Sequence, residues 1–435
     1  MNYTIAQFND TFPPLMDGVA VVVWNYARWL NQNFGTCYAV VPYIPDKSGQ
    51  KKRLREGPNN MALIDNARQN SQQQEQKRTR IEAEKGKGGY FNSGTAGMEG
   101  GFPVLRYFSL PLPFRYPYRI GVPWLDRRFL KELDRIEFNL VHAHCPFSAG
   151  WIARNYARRH GVPVVATFHS SIHEFAERLL KSKRLTREII KKVAEYYESV
   201  DRVVVSSYYT RDILKQYGCC CEPEIIPHGV DLEPPKGPEE AAAMREEGNK
   251  VLRTGAEDRV LLYVGYLSRE KNLCFLLRAL ELVKKMNIQF KMFLVGEGYA
   301  RAELEAAAKE LGMKEEVRFV GAITERQQLK PYYARADLFL FPSVNETYSM
   351  VVREAAAFGV PVVVLEGTAV AEVIRDSENG FVTERRLEAY AEKIAFLLKN
   401  QEVAKRAGKE AFKTLYVPWD AVMVRVSRLY ASLLV

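Results

Sequence analysis

The feature of this 435-residue chain that most restricts its fold is a repeated alternation of short apolar runs and amphipathic stretches. Such an alternation predicts parallel strands joined by helices. It runs from residues 4–8 to residues 224–226, stops at a charged stretch, and starts again at residues 259–264. Each half has enough strands for its own doubly wound sheet, and ligands of such sheets bind beyond the carboxyl ends of the strands. The sequence therefore predicts an α/β protein with two such sheets facing a cleft.

The same alternation predicts where the domains begin and end. We expect one domain over residues 1–231, a charged linker with a helix over 232–258, a second domain over 259–418, and a last helix over 419–435 that packs back on the first domain. Residues 47–101 interrupt the first domain; they are rich in glycine, and the portion from 47 to 88 carries a net charge of +6. Few large apolar side chains occur there to offset the entropy of ordering, so we expect a mobile basic insertion.

Composition and charge exclude several classes of protein. The longest apolar run, residues 19–24, is far shorter than the ~20 residues of a membrane-spanning helix. The start of the chain lacks the basic and apolar regions of a secretory signal, and the six cysteines lack the spacing of a disulfide framework, so we expect a reducing, cytoplasmic compartment. No aromatic residues interleave the basic run, so we expect no nucleic-acid partner. Contact with anionic lipid and a plain surface loop both remain open for that run.

The most informative local pattern lies in residues 341–361. It predicts that a strand ends at Phe341 and that a helix starts near Tyr348, with free backbone N–H groups that favour a phosphate group. Glu346 precedes this predicted helix, and Glu354 lies two turns into it. Carboxylates suit the hydroxyl groups of a sugar or ribose because they accept hydrogen bonds in pairs. The spacing of the two glutamates alone is also typical of surface acids, so the surrounding residues decide between the two interpretations.

These residues resemble the E-x7-E motif of the family-4 glycosyltransferases, which are retaining enzymes of the GT-B fold. The resemblance continues through most of the second half, at residues 264–272, 295–298, 359–363, 372–374 and 379–381. It implies a hexosyltransferase built from two Rossmann-like domains. Such an enzyme takes a sugar from a nucleotide-sugar donor, and the resemblance implies neither a cofactor nor a metal ion.

The resemblance also implies roles for residues of the second half. Glu354 would hold the ribose of the nucleotide, Glu346 would contact hydroxyl groups of the donor sugar, and Lys271 would bind the diphosphate. Family members usually carry an arginine where this chain has Tyr266. Arg269, from the same loop, is either the replacement for that cation or a solvated loop residue.

Three further residues are predicted for the cleft. By the resemblance, Gly321 would lie near the nucleobase, and Gly18, at the start of the first helix, would allow the donor to approach the backbone closely. Asp17 stands where family members commonly have a second glycine. His169 matches the family histidine near the reacting sugar, so His169 and Glu346 are the predicted catalytic residues. A neutral histidine can donate or accept a hydrogen bond beside a developing oxocarbenium ion, whereas metal binding is disfavoured because no acidic or cysteine ligand pattern accompanies the histidines.

The resemblance favours glucose from UDP-glucose as the donor and leaves the acceptor open. Residues 10–14 and 144–147 resemble bacterial diacylglycerol glucosyltransferases, which implies a lipid acceptor and a place on the inner face of the plasma membrane. Aromatic side chains of the first helix, Trp24, Tyr26 and Trp29, either contact that membrane or pack in the core. A soluble acceptor is one alternative, and a sugar-nucleotide-binding protein that has lost transfer is another. A nicotinamide dehydrogenase is disfavoured because no G-x-G-x-x-G follows the first strand.

Overall fold

The computed structural model of the protein describes residues 3–13, 15, 17–44, 97–112, 118–169, 172–173, 176–177, 181–323 and 325–434. Most of the predicted mobile insertion, residues 47–96, lies outside these described residues. The described part contains two large sheets whose neighbouring strands are almost all parallel, and helices connect successive strands. The predicted α/β architecture is confirmed.

Eight strands of the first half form one sheet. Within the described residues, the strands of this half are β1 (Tyr3–Phe8), β2 (Gly35–Pro42), β3 (Gly97–Glu99), β4 (Phe102–Tyr107), β5 (Ser109–Pro111), β6 (Arg119–Gly121), β7 (Leu140–Ala143), β8 (Val164–Phe168), β9 (Arg202–Val205) and β10 (Glu224–Ile225). The sheet order is β10-β9-β8-β7-β1-β2-β4-β3, and every pair except β3 and β4 is parallel. The strands β5 and β6 form a separate antiparallel hairpin.

The end of the predicted insertion belongs to this sheet, which corrects the expectation for residues 97–101. The strand β3 pairs antiparallel with β4 at the sheet edge. Gly100 and Gly101 have φ angles of 60° and 88°, which the reversal between the two strands requires and which glycine adopts readily. Phe102, the next residue, is fully buried and anchors β4 in the core. The glycines therefore serve a hairpin at this point rather than a mobile loop.

The second half forms a sheet of six strands, all parallel. Within the described residues these are β11 (Val260–Val264), β12 (Lys291–Val295), β13 (Val317–Gly321), β14 (Leu338–Phe341), β15 (Val362–Leu365) and β16 (Phe381–Thr383), in the order β13-β12-β11-β14-β15-β16. Every residue of β11, β14 and β15 is buried, as expected for parallel strands that are covered on both faces.

Thirteen α-helices occur in the described residues: α1 (Gly18–Asn33), α2 (Arg127–Arg135), α3 (Ser148–His160), α4 (Lys183–Glu198), α5 (Tyr208–Gln216), α6 (Pro238–Leu252), α7 (Leu273–Lys285), α8 (Arg301–Glu310), α9 (Lys330–Arg335), α10 (Met350–Ala357), α11 (Leu387–Lys399), α12 (Gln401–Leu415) and α13 (Trp419–Ala431). None of the described helices is long and apolar enough to cross a bilayer. The helix α6 lies in the charged stretch between the two sheets and packs against α9.

The last helix, α13, packs on the first half of the chain. Its buried Val422, Met423 and Val426 belong to the same apolar cluster as Ile5 and Val41 of the first sheet. A second cluster contains residues from the other face of that sheet, and a third forms the core of the second half. The chain therefore crosses back from the second sheet to the first at its carboxyl end.

The aromatic side chains of α1 pack against other parts of the protein. Tyr26 is buried, the ring of Trp24 packs edge-on against Phe102, and Trp29 Nε1 donates a hydrogen bond to Asp420 of α13. These contacts support core packing for Tyr26 and packing against neighbouring residues for Trp24 and Trp29, which are half-buried.

Candidate active site

A cavity of about 490 Å³ lies between the two sheets, where the carboxyl ends of strands from both halves meet. Its volume falls within the range of about 300–1,000 Å³ that is usual for small-molecule sites. Five of the predicted site residues line it: Gly18, His169, Lys271, Glu346 and Glu354. Loops after β1 and β8 bring the first two to the cavity, and loops or a helix after β11 and β14 bring the other three.

Lys271 and Glu346 form an ion pair on the wall of the cavity that belongs to the second half. Lys271 Nζ contacts Glu346 Oε1, and Ser343 Oγ donates a hydrogen bond to the same oxygen at 3.2 Å. The side chains of the pair are 24% and 14% exposed, so both groups remain accessible from the cavity. From the wall of the cavity, the cation can bind phosphate oxygens and the carboxylate can bind sugar hydroxyl groups.

Glu354 is a buried acid and not a surface residue. The helix α10 begins at Met350 rather than near Tyr348, so Glu354 lies about one turn into it instead of two. Its side chain is 1% exposed. Tyr333 Oη donates a hydrogen bond to Oε2 at 2.8 Å, and Arg326 forms an ion pair with Oε1. The later start of α10 follows from Ser349, which precedes it with a left-handed φ of 55°.

Arg326 is a cavity residue that the sequence analysis missed. It lies after the carboxyl end of β13 in a 3₁₀ turn, Arg326–Leu329, and its Nε is 3.1 Å from Asp231 Oδ2. Asp231 Oδ1 accepts hydrogen bonds from Asn25 Nδ2 at 2.7 Å and from Trp419 Nε1. Arg326 therefore connects Glu354 to α1, to α13 and to the segment between the two sheets. Its position after a strand end was the one signal in the sequence that could have identified it.

Arg269 and Gly321 are not among the residues that line the cavity. Arg269 forms an ion pair with Glu303 of α8 at 2.9 Å, and its side chain is 73% exposed. Gly321 lies at the end of β13 with a φ of 95° and pairs with Gly296 of the neighbouring loop. Of the two alternatives for Arg269, these contacts favour the solvated loop residue, because its ion pair with Glu303 lies at the protein surface. Tyr266 itself lines the cavity.

His169 belongs to a cluster of buried histidines on the opposite wall. Its Nε2 is 3.0 Å from His144 Nδ1, and its Nδ1 is 3.2 Å from His228 Nε2. Burial lowers the pKa of His169 to about 3, so the ring is neutral at physiological pH. Because both ring nitrogens of His169 contact neighbouring histidines, neither is available to bind a ligand.

The first-half loops are held in place by hydrogen bonds between side chain and backbone. Asp17 accepts a hydrogen bond from Ala20 N at 2.8 Å and so caps α1, which explains an aspartate at that position. Gly18 follows with open space in front of it, because no atom lies within 4 Å of where a Cβ would be. Across the cleft, Thr347 Oγ1 donates to the His169 carbonyl oxygen at 2.9 Å and fixes the loop before α10.

The cysteine in residues 144–147 is a half-buried thiol. Cys145 Sγ donates a hydrogen bond to Asp10 Oδ2 at 2.8 Å, and burial raises its pKa well above the ordinary value. A protonated thiol of this kind is neither a nucleophile nor a metal ligand. In the described part of the chain, no three His, Cys, Asp or Glu side chains are grouped so that they could hold a metal ion.

Both halves of the chain match families of glycosyltransferases. Residues 83–234 match the family model described as Glycosyltransferase Family 4, and residues 244–414 match the model described as Glycosyl transferases group 1. The chain is 28% identical over 251 residues to the alpha-monoglucosyldiacylglycerol synthase of Streptococcus pneumoniae, over 55% of this chain and 56% of that protein. The chain thus spans about half the length of that relative.

Further similar proteins extend the comparison. The chain is 27% identical to a GDP-mannose-dependent alpha-(1-6)-phosphatidylinositol dimannoside mannosyltransferase of Mycobacterium tuberculosis, over 68% of this chain and 74% of that one. Sucrose-phosphate synthase from Thermosynechococcus elongatus has a TM-score of 0.71 at 18% identity, over 99% of both chains. Anabaena HepE in complex with UDP has a TM-score of 0.69 at 16% identity, over 100% of both chains.

The two Rossmann-like sheets that enclose the cleft have the GT-B fold of these structural neighbours, and the family models that match the two halves of the chain are models of glycosyltransferases. The chain belongs to the family-4 glycosyltransferases. The family, the fold and the enzyme class that the sequence predicted are confirmed.

Proposed function

We propose that the chain transfers glucose from UDP-glucose, with retention of configuration, to a hydroxyl group of diacylglycerol or of a glycolipid. One observation carries the proposal: a single cavity between the sheets brings together Lys271, Glu346, Glu354 and the histidine cluster. The names of the relatives support a lipid acceptor, since two of them name diacylglycerol and phosphatidylinositol products or substrates. The donor is supported by a structural neighbour that was solved in complex with UDP-glucose.

In this proposal the second half binds the donor. Glu354 holds the ribose hydroxyl groups, and Lys271 and the free N–H groups at the start of α10 bind the diphosphate. Arg326 takes the place of Arg269 as the second cation, because it lines the cavity and Arg269 does not. Glu346 accepts hydrogen bonds from the sugar.

The proposed reaction takes place on one face of the sugar. The bond from the anomeric carbon to the diphosphate breaks, the bond to the acceptor oxygen forms on the same face, and the leaving diphosphate takes the acceptor proton. Catalysis then depends on positioning and on the stabilisation of charge on the diphosphate, to which Lys271 and Arg326 contribute. A neutral histidine wall suits the positive charge that develops at the anomeric carbon, since no imidazolium opposes it.

We further propose that residues 1–231 form the acceptor-side domain, 232–258 the linker and 259–418 the donor domain, with 419–435 returning to the first. Exposed apolar residues of the first domain then face the acceptor. We define the tryptophan patch as Trp124, Leu125, Phe147 and Trp151, of which all four are exposed and the two indole rings are 6.0 Å apart. Arg127 and Arg128 are exposed beside it.

Aromatic and basic side chains together suit the interface of an anionic bilayer. We therefore propose that the enzyme is cytoplasmic and that the tryptophan patch, rather than the face of α1, contacts the inner membrane surface. The basic residues 47–88 add positive charge to the same domain.

The double variant Trp124→Ser/Trp151→Ser is expected to bind phosphatidylglycerol vesicles about tenfold more weakly, because it removes apolar contact area. The matched control is Phe396→Ser on α11, which removes a ring of similar exposure from the other domain. Equal binding by all three proteins would exclude the patch.

The function is tested by a donor screen and a transfer assay. Thermal shift with several nucleotide sugars should select UDP-glucose, and the labelled sugar should then appear in extracted lipid rather than in soluble sugars. Transfer to soluble sugars alone would favour the soluble-acceptor alternative. Donor binding without hydrolysis or transfer would favour a binding protein, an alternative that Tyr266 in the cavity supports because the family arginine is absent there.

A further inference from the structure

Three histidine rings and one glutamine amide form a continuous hydrogen-bonded chain that ends at the cavity. His144 Nε2 is 2.8 Å from Gln7 Oε1, His144 Nδ1 is 3.0 Å from His169 Nε2, and His169 Nδ1 is 3.2 Å from His228 Nε2. All four side chains are buried. This series of hydrogen bonds starts at Gln7 in β1, inside the first sheet, and ends at His228, whose ring lines the cavity.

The last nitrogen of this chain is unused. His228 Nδ1 is buried and has no hydrogen-bond partner among the described residues. The residue itself is held firmly, because Tyr348 Oη donates to its carbonyl oxygen at 2.7 Å and the Tyr348 ring packs edge-on against the imidazole. Buried polar nitrogens without a partner are rare in folded proteins and call for a ligand or another explanation.

The direction of the chain follows from its first member. Gln7 Nε2 donates to Tyr430 Oη at 3.1 Å, so the amide oxygen faces His144 and can only accept. His144 therefore carries its proton on Nε2. A neutral imidazole has one N–H, so His144 Nδ1 accepts from His169, and His169 Nδ1 in turn accepts from His228 Nε2. Burial lowers the pKa of each ring, which keeps all three neutral.

We propose that His228 Nδ1 is a hydrogen-bond acceptor for a ligand hydroxyl group in the cavity. Gln7 is then a positioning residue, which fixes the tautomer of His228 through His144 and His169. The hydroxyl belongs either to the sugar of the donor or to the acceptor. Only the identity of this ligand rests on the proposed function; the direction of the chain does not.

The direction is tested on the ligand-free protein by ¹⁵N NMR of labelled histidine side chains. We expect Nε2–H tautomers for His144, His169 and His228. In Gln7→Leu the fixed tautomer of His228 should be lost, although the substituted residue lies two rings away. The matched control is Thr167→Val, which removes the partner of His142 Nε2 and leaves the chain intact, so His228 should be unchanged. An Nδ1–H tautomer at His228, or an unaltered His228 in Gln7→Leu, overturns the proposal.

The ligand is tested by titrating His228→Phe with UDP and with UDP-glucose. If the hydroxyl belongs to the donor sugar, affinity for UDP-glucose should fall about threefold to tenfold while affinity for UDP stays the same. If it belongs to the acceptor, both affinities should stay the same and KM for the acceptor should rise by a similar factor. An equal loss for UDP and UDP-glucose, or no change in any of the three values, overturns the assignment of His228. Because the NMR measurement needs no substrate, it separates this failure from a failure of the proposed function.

Discussion

The two walls of the cavity handle buried polar groups in opposite ways. The wall from the second half carries full charges in pairs, Lys271 with Glu346 and Arg326 with Glu354. The wall from the first half carries neutral imidazoles that bond to one another. A buried carboxylate or guanidinium stays charged only with a partner, whereas a histidine avoids the cost of burial by losing its proton. The charged wall therefore suits a charged nucleotide, and the neutral wall suits hydroxyl groups.

The largest effect is expected where the charged wall is most buried. Glu354→Ala leaves Arg326 with Asp231 alone and removes the acceptor of Tyr333, so the free energy of unfolding should fall by about 3 kcal/mol. Affinity for UDP-glucose should fall by about 1.5–3 kcal/mol, the scale of a charged hydrogen bond. Urea denaturation and calorimetric titration measure the two values. As a control, Glu303→Ala breaks an exposed pair and should cost less than about 1 kcal/mol. Unchanged donor affinity in Glu354→Ala would remove Glu354 from the donor site.

Two buried histidines of the first half, His142 in β7 and His169 on the neutral wall, should make the protein sensitive to acid. The pKa values of His142 and His169 are lowered by burial to about 3, so between pH 6.5 and pH 3 the unfolded chain binds more protons than the folded one. As the pH falls below 6.5, the free energy of unfolding should decrease by about 1.4 kcal/mol per pH unit for each histidine. At pH 5 the loss is about 2 kcal/mol for each histidine.

Urea denaturation at pH 7, 6 and 5 measures this slope. In His142→Gln the dependence of stability on pH should weaken by the contribution of one proton. If the free energy of unfolding does not change between pH 7 and pH 5, burial is not what keeps these histidines neutral.

Loss of a cation from the charged wall should weaken the interaction with the phosphate groups of the donor and leave binding of the nucleoside unchanged. Lys271→Ala should lower kcat/KM for UDP-glucose about tenfold, or ~1.4 kcal/mol, because Lys271 faces the proposed diphosphate position. Binding of uridine, which has no phosphate, should change little. A variant that weakens uridine and UDP-glucose equally would place Lys271 away from the diphosphate.

The smallest effect is expected for the cation outside the cavity. Arg269→Ala removes an exposed pair with Glu303, so stability and kcat/KM should both stay close to those of the parent protein. Arg326→Ala, compared in the same assay, should lower kcat/KM much more. The reverse order would show that Arg269 turns into the cavity when the donor binds.

The sequence predicted strands of four or more apolar residues well and three-residue strands poorly. The strands expected at residues 4–8 and 259–264 are β1 and β11 to within one residue, and β14 ends at Phe341 as expected, because each is a run of apolar residues between turn signals. The strand β16 and the hairpin of β5 and β6 were not predicted, since three residues carry too little pattern. The start of α10 was placed two residues early because Ser349 adopts a left-handed conformation that its sequence does not announce.

By itself the sequence determined the two sheets, because periodicity acts over neighbouring residues. Its resemblance to the motifs of the family-4 glycosyltransferases indicated the family and singled out Glu346, Glu354 and Lys271. Only the tertiary structure decided that Arg326 rather than Arg269 lines the cavity, and that Gln7, His144, His169 and His228 form one chain. These contacts join residues that are far apart in the sequence, and they exist because parallel strands place their carboxyl ends at one edge. Which strands are neighbours at that edge, and which side chains then pair in the buried space, is fixed by packing.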